Sequence, residues 1–345
     1  MKTLAARHPW VRAGSIERIE GEPTDGGEVD LYSHKGRFIG RGLYNGRSRL
    51  RVRLYRWDAP AALDQAFWEE RIARAVRLRK MIGYDDPHGA ARVVYSEGDG
   101  LSGLIVDRYR DYLVVQVTGL GIAQRIDTFL DILERQFSPK GILLRTEPSI
   151  AKAEGLHIES GTVRGKAPEG PILIEENGVT FGVDLVGGHK TGFYLDQREN
   201  RAAAARYMKK RRVLDVFCYT GGFAVTAARL GGAREVLGID GAADALLLAK
   251  LNARQNAVSQ VRFEQGDAFK TLESLASTGE RFDAVILDPP KFARSRKQLR
   301  EALKAYHWLN RLGVSVLEPG GVLVTCSCSG SVTQEDFIKM LYGVA

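Results

Sequence analysis

The feature that most constrains this chain is a series of short apolar runs in its C-terminal half, at 213–217, 235–240, 284–288 and 321–325, separated by stretches of helical spacing. Strands that are apolar without alternation are buried on both faces, as in a parallel sheet covered by helices. This half therefore predicts a doubly wound, Rossmann-like α/β domain whose ligands lie beyond the carboxyl ends of its strands.

The first run leads into Asp215, Val216, Phe217, Cys218, Tyr219, Thr220, Gly221 and Gly222, a glycine-containing turn that opens a helix. A dinucleotide site uses Gly-x-Gly-x-x-Gly so that the backbone can approach a pyrophosphate. Here three bulkier residues precede the glycines, which argues against pyrophosphate. S-adenosylmethionine carries no phosphate and suits the loop, with its amino-acid end at the turn and its adenosine across the strand ends. Asp240 closes the second strand, where a carboxylate can accept both ribose hydroxyls. Asp267, followed by Ala268, stands after the third strand, within reach of an adenine amino group. Each such aspartate can instead be a helix cap. Upstream, 188–201 is dense in side chains that bind polar ligands. It adds Thr191, Tyr194, Asp196 and Arg198 to the expected cofactor set, which Asp288 completes. The same segment also reads as an N-capped helix beginning near Asp196.

Two motifs follow the fourth and fifth strands: Asp288-Pro289-Pro290-Lys291-Phe292 and Thr325-Cys326-Ser327-Cys328-Ser329. Two prolines remove backbone donors and stiffen the turn, which suits a planar amine. Cytosine C5 is a poor nucleophile, and methylating it requires a thiolate to add at C6 first. If the fifth strand continues, Cys326 and Cys328 share a face, with Cys328 nearer the ligand end. Cys328 is thus the expected nucleophile and Asp288 its partner. Cys326 and Lys291 are candidates to assist, with Lys291 or Arg294 lowering the Cys328 pKa. The alternative is that the cysteines only pack. No second cysteine pair is present, so no metal is expected.

The N-terminal half reads differently. Residues 14–57 form short alternating stretches punctuated by glycines, as in a small β module. Within it Arg47, Arg49, Arg51 and Arg53 alternate with Ser48, Leu50, Val52 and Leu54, which predicts a basic stripe on one strand face, fit for RNA phosphates. Helical spacing follows over 61–82, with Leu63, Phe67, Ile72, Val76 and Met81 near one stripe. Strand-like runs and a helix near 122–136 then make a mixed α+β region to about 175. A net charge of +8 favours a polyanionic partner. Three cysteines, no signal-like apolar segment and no membrane-length run predict a cytoplasmic protein without a membrane partner.

In combination, these motifs resemble the bacterial ribosomal RNA large-subunit methyltransferase I family, which makes 5-methylcytidine in 23S rRNA. The resemblance spans almost the whole chain, through His8-Pro9-Trp10-Val11, Gly36-Arg37-Phe38-Ile39-Gly40, residues 97–107, residues 190–198, Asp288-Pro289-Pro290-Lys291-Phe292 and Ser327-Cys328-Ser329-Gly330. It implies an RNA-binding PUA β-barrel (1–70), a central α+β domain (71–175) and a class I methyltransferase domain (176–345), often in a homodimer. It also implies Cys328 as nucleophile and Asp288 as the group that orients the cytosine. Larger RNA cytosine methyltransferase families carry a second cysteine directly after the motif-IV proline. Here Pro290 and Lys291 stand there, so another group must assist elimination. A class I domain normally continues through a helix and two further strands, so the C-terminal strands are expected to be missing. Two other readings stay open: N-methylation of an RNA base, and RNA binding by an inactive methyltransferase fold.

Overall fold

The computed structural model describes residues 7–187, 192–293 and 295–344. The chain divides into two compact units: Met1–Ile174 with Val183–Leu195, and Glu175–Gly182 with Asp196–Ala345.

The first unit holds two sheets. One is antiparallel, with β1 (Trp10–Arg12), β2 (Glu28–Tyr32), β3 (Phe38–Tyr44) and β4 (Leu50–Arg56) in the order β1-β4-β3-β2. The other comprises β5 (Ala90–Tyr95), β6 (Leu104–Tyr109), β7 (Tyr112–Val117), β8 (Gly141–Arg145) and β9 (Gly161–Gly165) in sequence order, parallel only between β7 and β8. The helix Gln65–Met81 crosses position 70 and buries Trp68, Ile72, Ala75 and Arg79. The expected stripe holds for Leu63 and Ile72, which are buried, and for Phe67 and Val76, which pack against the same core, but not for Met81, which is 83% exposed. The true stripe ends on a charge because Arg79 meets the Asp99 carboxylate through both terminal nitrogens, at 2.5 and 2.7 Å. Trp68 centres the core, its ring 5.0 Å from Tyr55 and 5.3 Å from Phe129.

The expected arginine stripe is corrected by the structure. β4 begins only at Leu50, so Arg47 and Arg49 precede it, and Arg47 lies 3.7 Å from Asp25. Arg51 donates to the carbonyls of Asn45 and Gly46. Arg53 is buried, its guanidinium 3.3 Å from Glu154 and 3.5 Å from Glu97, with a hydrogen bond to the Thr118 carbonyl. Alternation placed the arginines opposite Val52 and Leu54, but that face is covered too: Tyr55 beside Arg53 is 1% exposed. Arg53 thus becomes an internal partner, whereas Arg47 and Arg49 stay exposed.

The ribbon of β10 (Ile172–Glu176) and β11 (Val179–Val183) turns at Asn177 and Gly178, both at positive φ. The second unit is then built on β12 (Arg212–Val216), β13 (Glu235–Asp240), β14 (Val261–Gln265), β15 (Phe282–Leu287) and β16 (Leu317–Thr325). The order is β14-β13-β12-β15-β16, every pair parallel, with the order reversing at β12. This is the doubly wound sheet expected from the apolar runs, with its switch point beside the carboxyl end of β12. Leu214, Val216, Ile239, Val285 and Leu287 are buried in its core with Leu309 from the helix Leu299–Ser315. Among the described residues, no helix is long and apolar enough to cross a membrane.

Candidate functional site

The loop after β12 departs from ordinary backbone. Phe217, Tyr219 and Gly221 have φ of +66°, +50° and +79°, alternating with residues outside that region. Such alternation curls the loop tightly on itself, with the Cys218 N–H donating to the Ile239 carbonyl at 3.0 Å and the Gly221 N–H to the Cys218 carbonyl at 2.8 Å. A side chain at Gly221 would meet the Phe263 ring at 2.8 Å, so glycine is required there. The strain is held by neighbours. Asp240 accepts the Tyr219 N–H at 2.8 Å and the Ala242 N–H at 2.9 Å, and Asn252 donates to the Thr220 carbonyl at 2.9 Å.

Asp215, at the end of β12, is wholly buried, and neither carboxylate oxygen has a hydrogen-bond partner among the described residues. Burial pushes its carboxyl well above the usual range, and Asp288 adds to the rise; the nearby Ala224 amide opposes it only in part. Thr220 Oγ1 is likewise buried and unpartnered. An unsatisfied buried carboxylate is costly unless a cation or donor comes to it.

β15 and β16 bring the two sequence motifs together. Their register sets Leu287 opposite Thr325, and the Cys326 N–H donates to the Leu287 carbonyl at 2.9 Å, so Asp288 and Cys326 leave the sheet side by side. Gln197 Nε2 donates to Asp288 Oδ1 at 2.9 Å, and Asn200 Nδ2 donates to Gln197 Oε1 at 2.6 Å, which fixes the amide's orientation. Burial pushes the Cys326 thiol up to about 12, with the Asp288 charge adding to the rise and a hydrogen bond with Gln197 opposing it.

The strand does not continue to Cys328, contrary to the expectation of a shared face: β16 ends at Thr325. Ser327 and Ser329 end it by turning to the helix Leu299–Ser315. Ser327 Oγ donates to Tyr306 Oη at 3.0 Å, and Ser329 Oγ sits 3.1 Å from the same hydroxyl while accepting the Ala293 N–H at 3.2 Å. Cys328, between them, is left exposed with its Sγ 3.6 Å from the Pro289 carbonyl oxygen.

The remaining expected residues scatter. Asp267 is exposed and caps the helix Ala268–Ser277 by accepting the Lys270 N–H, the capping alternative realised; Ala268 is buried. Asp196 is exposed on a short 3-10 turn, Leu195–Gln197. Arg198 lies 3.4 Å from the buried Glu176, which also pairs with Arg201 at 2.7 Å, so its guanidinium is tied into a structural ion pair. Tyr194 belongs to the first unit, and Lys291 is exposed. Thr191 and Arg294 lie outside the described residues. Sequence reasoning missed Gln197, Asn200 and Tyr306. Gln197 stood within the polar segment already singled out, whereas Tyr306 lies between the fourth and fifth runs, where no site residue was expected.

Comparison with known proteins adds independent findings. A family model described as S-adenosylmethionine-dependent methyltransferase matches residues 163–340, and a PUA-like domain model matches residues 1–57. Ribosomal RNA large subunit methyltransferase I of Aeromonas hydrophila is 41% identical over the whole chain and 87% of its own length; that of Photobacterium profundum is 40% identical with the same coverage. The crystal structure of SMU.776, described as a methyltransferase complexed with SAH, superposes with a TM-score of 0.84 at 22% identity, covering 99% of this chain and 87% of that one. The residues present suit S-adenosylmethionine: Asp215 offers an unpaired buried carboxylate, Thr220 an unpartnered buried hydroxyl, and each Asp240 oxygen keeps a lone pair beyond its backbone bond.

Proposed function

The chain belongs to the ribosomal RNA large subunit methyltransferase I family of S-adenosylmethionine-dependent methyltransferases, and from that premise we propose that it methylates C5 of a cytosine in 23S ribosomal RNA through a covalent adduct of Cys328 with C6. One observation carries the reading: an exposed thiol stands 3.6 Å from the carbonyl of the rigid Asp288-Pro289-Pro290 turn, at the ends of two adjacent strands.

When bound, S-adenosylmethionine supplies an electrophilic methyl carbon. The chain's own part begins with holding it. Asp215 would pair with the ammonium of its amino-acid end, and Asp240 would accept from its ribose hydroxyls. The target base is drawn out of its stack into the cleft. Asp288, clamped by Gln197, accepts from the cytosine amine. Cys328 Sγ adds to C6, and the C5–C6 π electrons become available at C5 for the new carbon–carbon bond. Loss of the C5 proton then expels the thiolate and restores the ring. Cys326, kept as a neutral thiol by burial and Asp288, is neither the nucleophile nor the base, so the C5 proton passes to solvent water.

Residues 1–70, 71–175 and 176–345 serve in this reading as RNA-binding, central and catalytic domains. The match of a PUA-like model to residues 1–57 supports the first assignment. Incubating undermethylated 23S rRNA with methyl-labelled cofactor and the protein, then digesting to nucleosides, tests the product. Labelled 5-methylcytidine is expected; label on an exocyclic or ring nitrogen overturns the C5 assignment.

A further inference from the structure

The helix Leu299–Ser315 directly follows the short 3-10 segment Arg296–Gln298, with residues 291–298 between it and the Asp288-Pro289-Pro290 turn. It buries Ala302, Tyr306, Leu309, Asn310, Leu312 and Gly313. At about 100° per residue, Arg300, Lys304, Trp308 and Arg311 fall within an arc of about 80° on the opposite face. All four are exposed, Trp308 at 46%.

An exposed helix face is ordinarily a mixture of charges, and two features set this one apart. Its one acid is Glu301, which pairs with Lys304 at 3.0 Å, while no ion pair is formed among the described residues by Arg300 or Arg311, nor by Arg296 and Lys297 just before the helix. An indole also stands among the cations, where solvation alone would not place it. At 1.5 Å per residue the stripe runs about 16 Å from Arg300 to Arg311, the length of two to three nucleotides of extended single strand. Cations alternating with an aromatic face are the elements of a single-strand track, in which phosphates meet charge and a base stacks on the ring.

We propose that this face of the helix holds single-stranded RNA flanking the target nucleotide, with a base stacked on Trp308 and phosphates on Arg300 and Arg311. The inference rests on the reading of the chain as an RNA methyltransferase and adds a contact surface outside the cofactor loop and the cysteines. The helix starts at the rim of the acceptor cleft, so a strand leaving the cleft meets Arg300 first and Trp308 two turns later.

The test uses the full chain and a fluorescein-labelled single-stranded RNA 20-mer, with affinity measured by anisotropy across a salt series, beside methylation of undermethylated 23S rRNA. Three variants are compared: Trp308→Ala, Arg300→Gln/Arg311→Gln, and the three changes together. Cofactor affinity and thermal midpoint, both expected unchanged, report an intact fold. Trp308→Ala is expected to weaken RNA binding about tenfold with an unchanged salt slope. The double arginine variant is expected to reduce that slope by about 1.4, at about 0.7 for each phosphate that an arginine no longer neutralises. In methylation, KM should rise while kcat at saturating RNA holds. Wild-type affinity and slope in all three variants, in a protein that methylates RNA, overturn this inference alone. A wild-type protein that neither binds nor methylates RNA overturns the functional reading with it. Equal loss on a duplex of the same sequence overturns the single-strand assignment.

Discussion

Gln197 donates its side-chain amide to Asp288 across 2.9 Å while accepting from Asn200 at 2.6 Å, so the carboxylate at the carboxyl end of β15 is aimed from outside the sheet. Replacing Gln197 by Ala releases one Asp288 oxygen without touching the cysteines. The expected result is a fall in kcat of about 10- to 100-fold, the scale of a small misplacement of a reacting partner, with cofactor affinity changed less than about threefold. Gln197→Glu sets two carboxylates against each other and raises their shared proton affinity, so its activity should be lowest at high pH and recover on acidification. A kcat-versus-pH profile of both variants checks this; identical profiles would remove Gln197 from the role.

The three cysteines should react in a fixed order. The thiolate is the reactive form. Cys326 is pushed up to about 12, so at pH 8 only about one in ten thousand of its thiols is ionised. Cys218 is buried, which raises its thiol well above the free value. Cys328 is exposed. Brief iodoacetamide treatment at pH 8 followed by peptide mass spectrometry should find Cys328 alkylated first, with Cys326 and Cys218 following only in denaturant.

Asp215 predicts a pH dependence of the cofactor-free protein. Its folded-state carboxyl lies well above the ordinary value near 4, chiefly through burial, so the folded form binds that proton more tightly than the unfolded form. Stability should therefore fall as pH rises from about 4 towards the folded value and stay lower above it. Asp215→Asn removes the penalty and should stabilise the cofactor-free protein by about 1 kcal/mol or more at pH 7 while weakening cofactor binding. Thermal midpoints across pH, with and without S-adenosylmethionine, measure both effects.

Arg53 should behave as a structural residue. Its guanidinium faces Glu154 at 3.3 Å and Glu97 at 3.5 Å, with Arg53 and Glu154 buried and Glu97 half-buried. Arg53→Met leaves two carboxylates without their cation and should cost about 3 kcal/mol in urea unfolding. The salt slope of RNA binding by the protein that remains folded should not change.

The sheet was legible because four of its five strands carry a short apolar run, as burial on both faces demands, whereas the edge strand β14, Val261–Gln265, buries only Phe263 and shows no such run. The positions of Asp288 and the cysteines followed, since strand ends define the ligand side. The burial of Arg53 was not legible. Alternation fixes which residues share a face of β4, but not that Tyr55 and a second sheet cover that face. Cys328 was ranked above Cys326 because it would lie nearer the ligand end of a continued strand, but the strand stops at Thr325. It is Ser327 and Ser329, gripping Tyr306 from a helix distant in sequence, that end the strand and leave Cys328 outward. Gln197 was hidden likewise, because its partner lies 91 residues away.

The central claim is that Cys328 forms the covalent bond to the base. The most direct measurement compares wild type and Cys328→Ala on undermethylated 23S rRNA, and on the same RNA with 5-fluorocytidine at the target, where no C5 proton can leave. The wild-type protein should form an RNA adduct that survives denaturing electrophoresis. Cys328→Ala, with unchanged cofactor affinity, should form none and lose at least about 10³-fold in methyl transfer. Methyl transfer at near wild-type rate by Cys328→Ala would contradict the account.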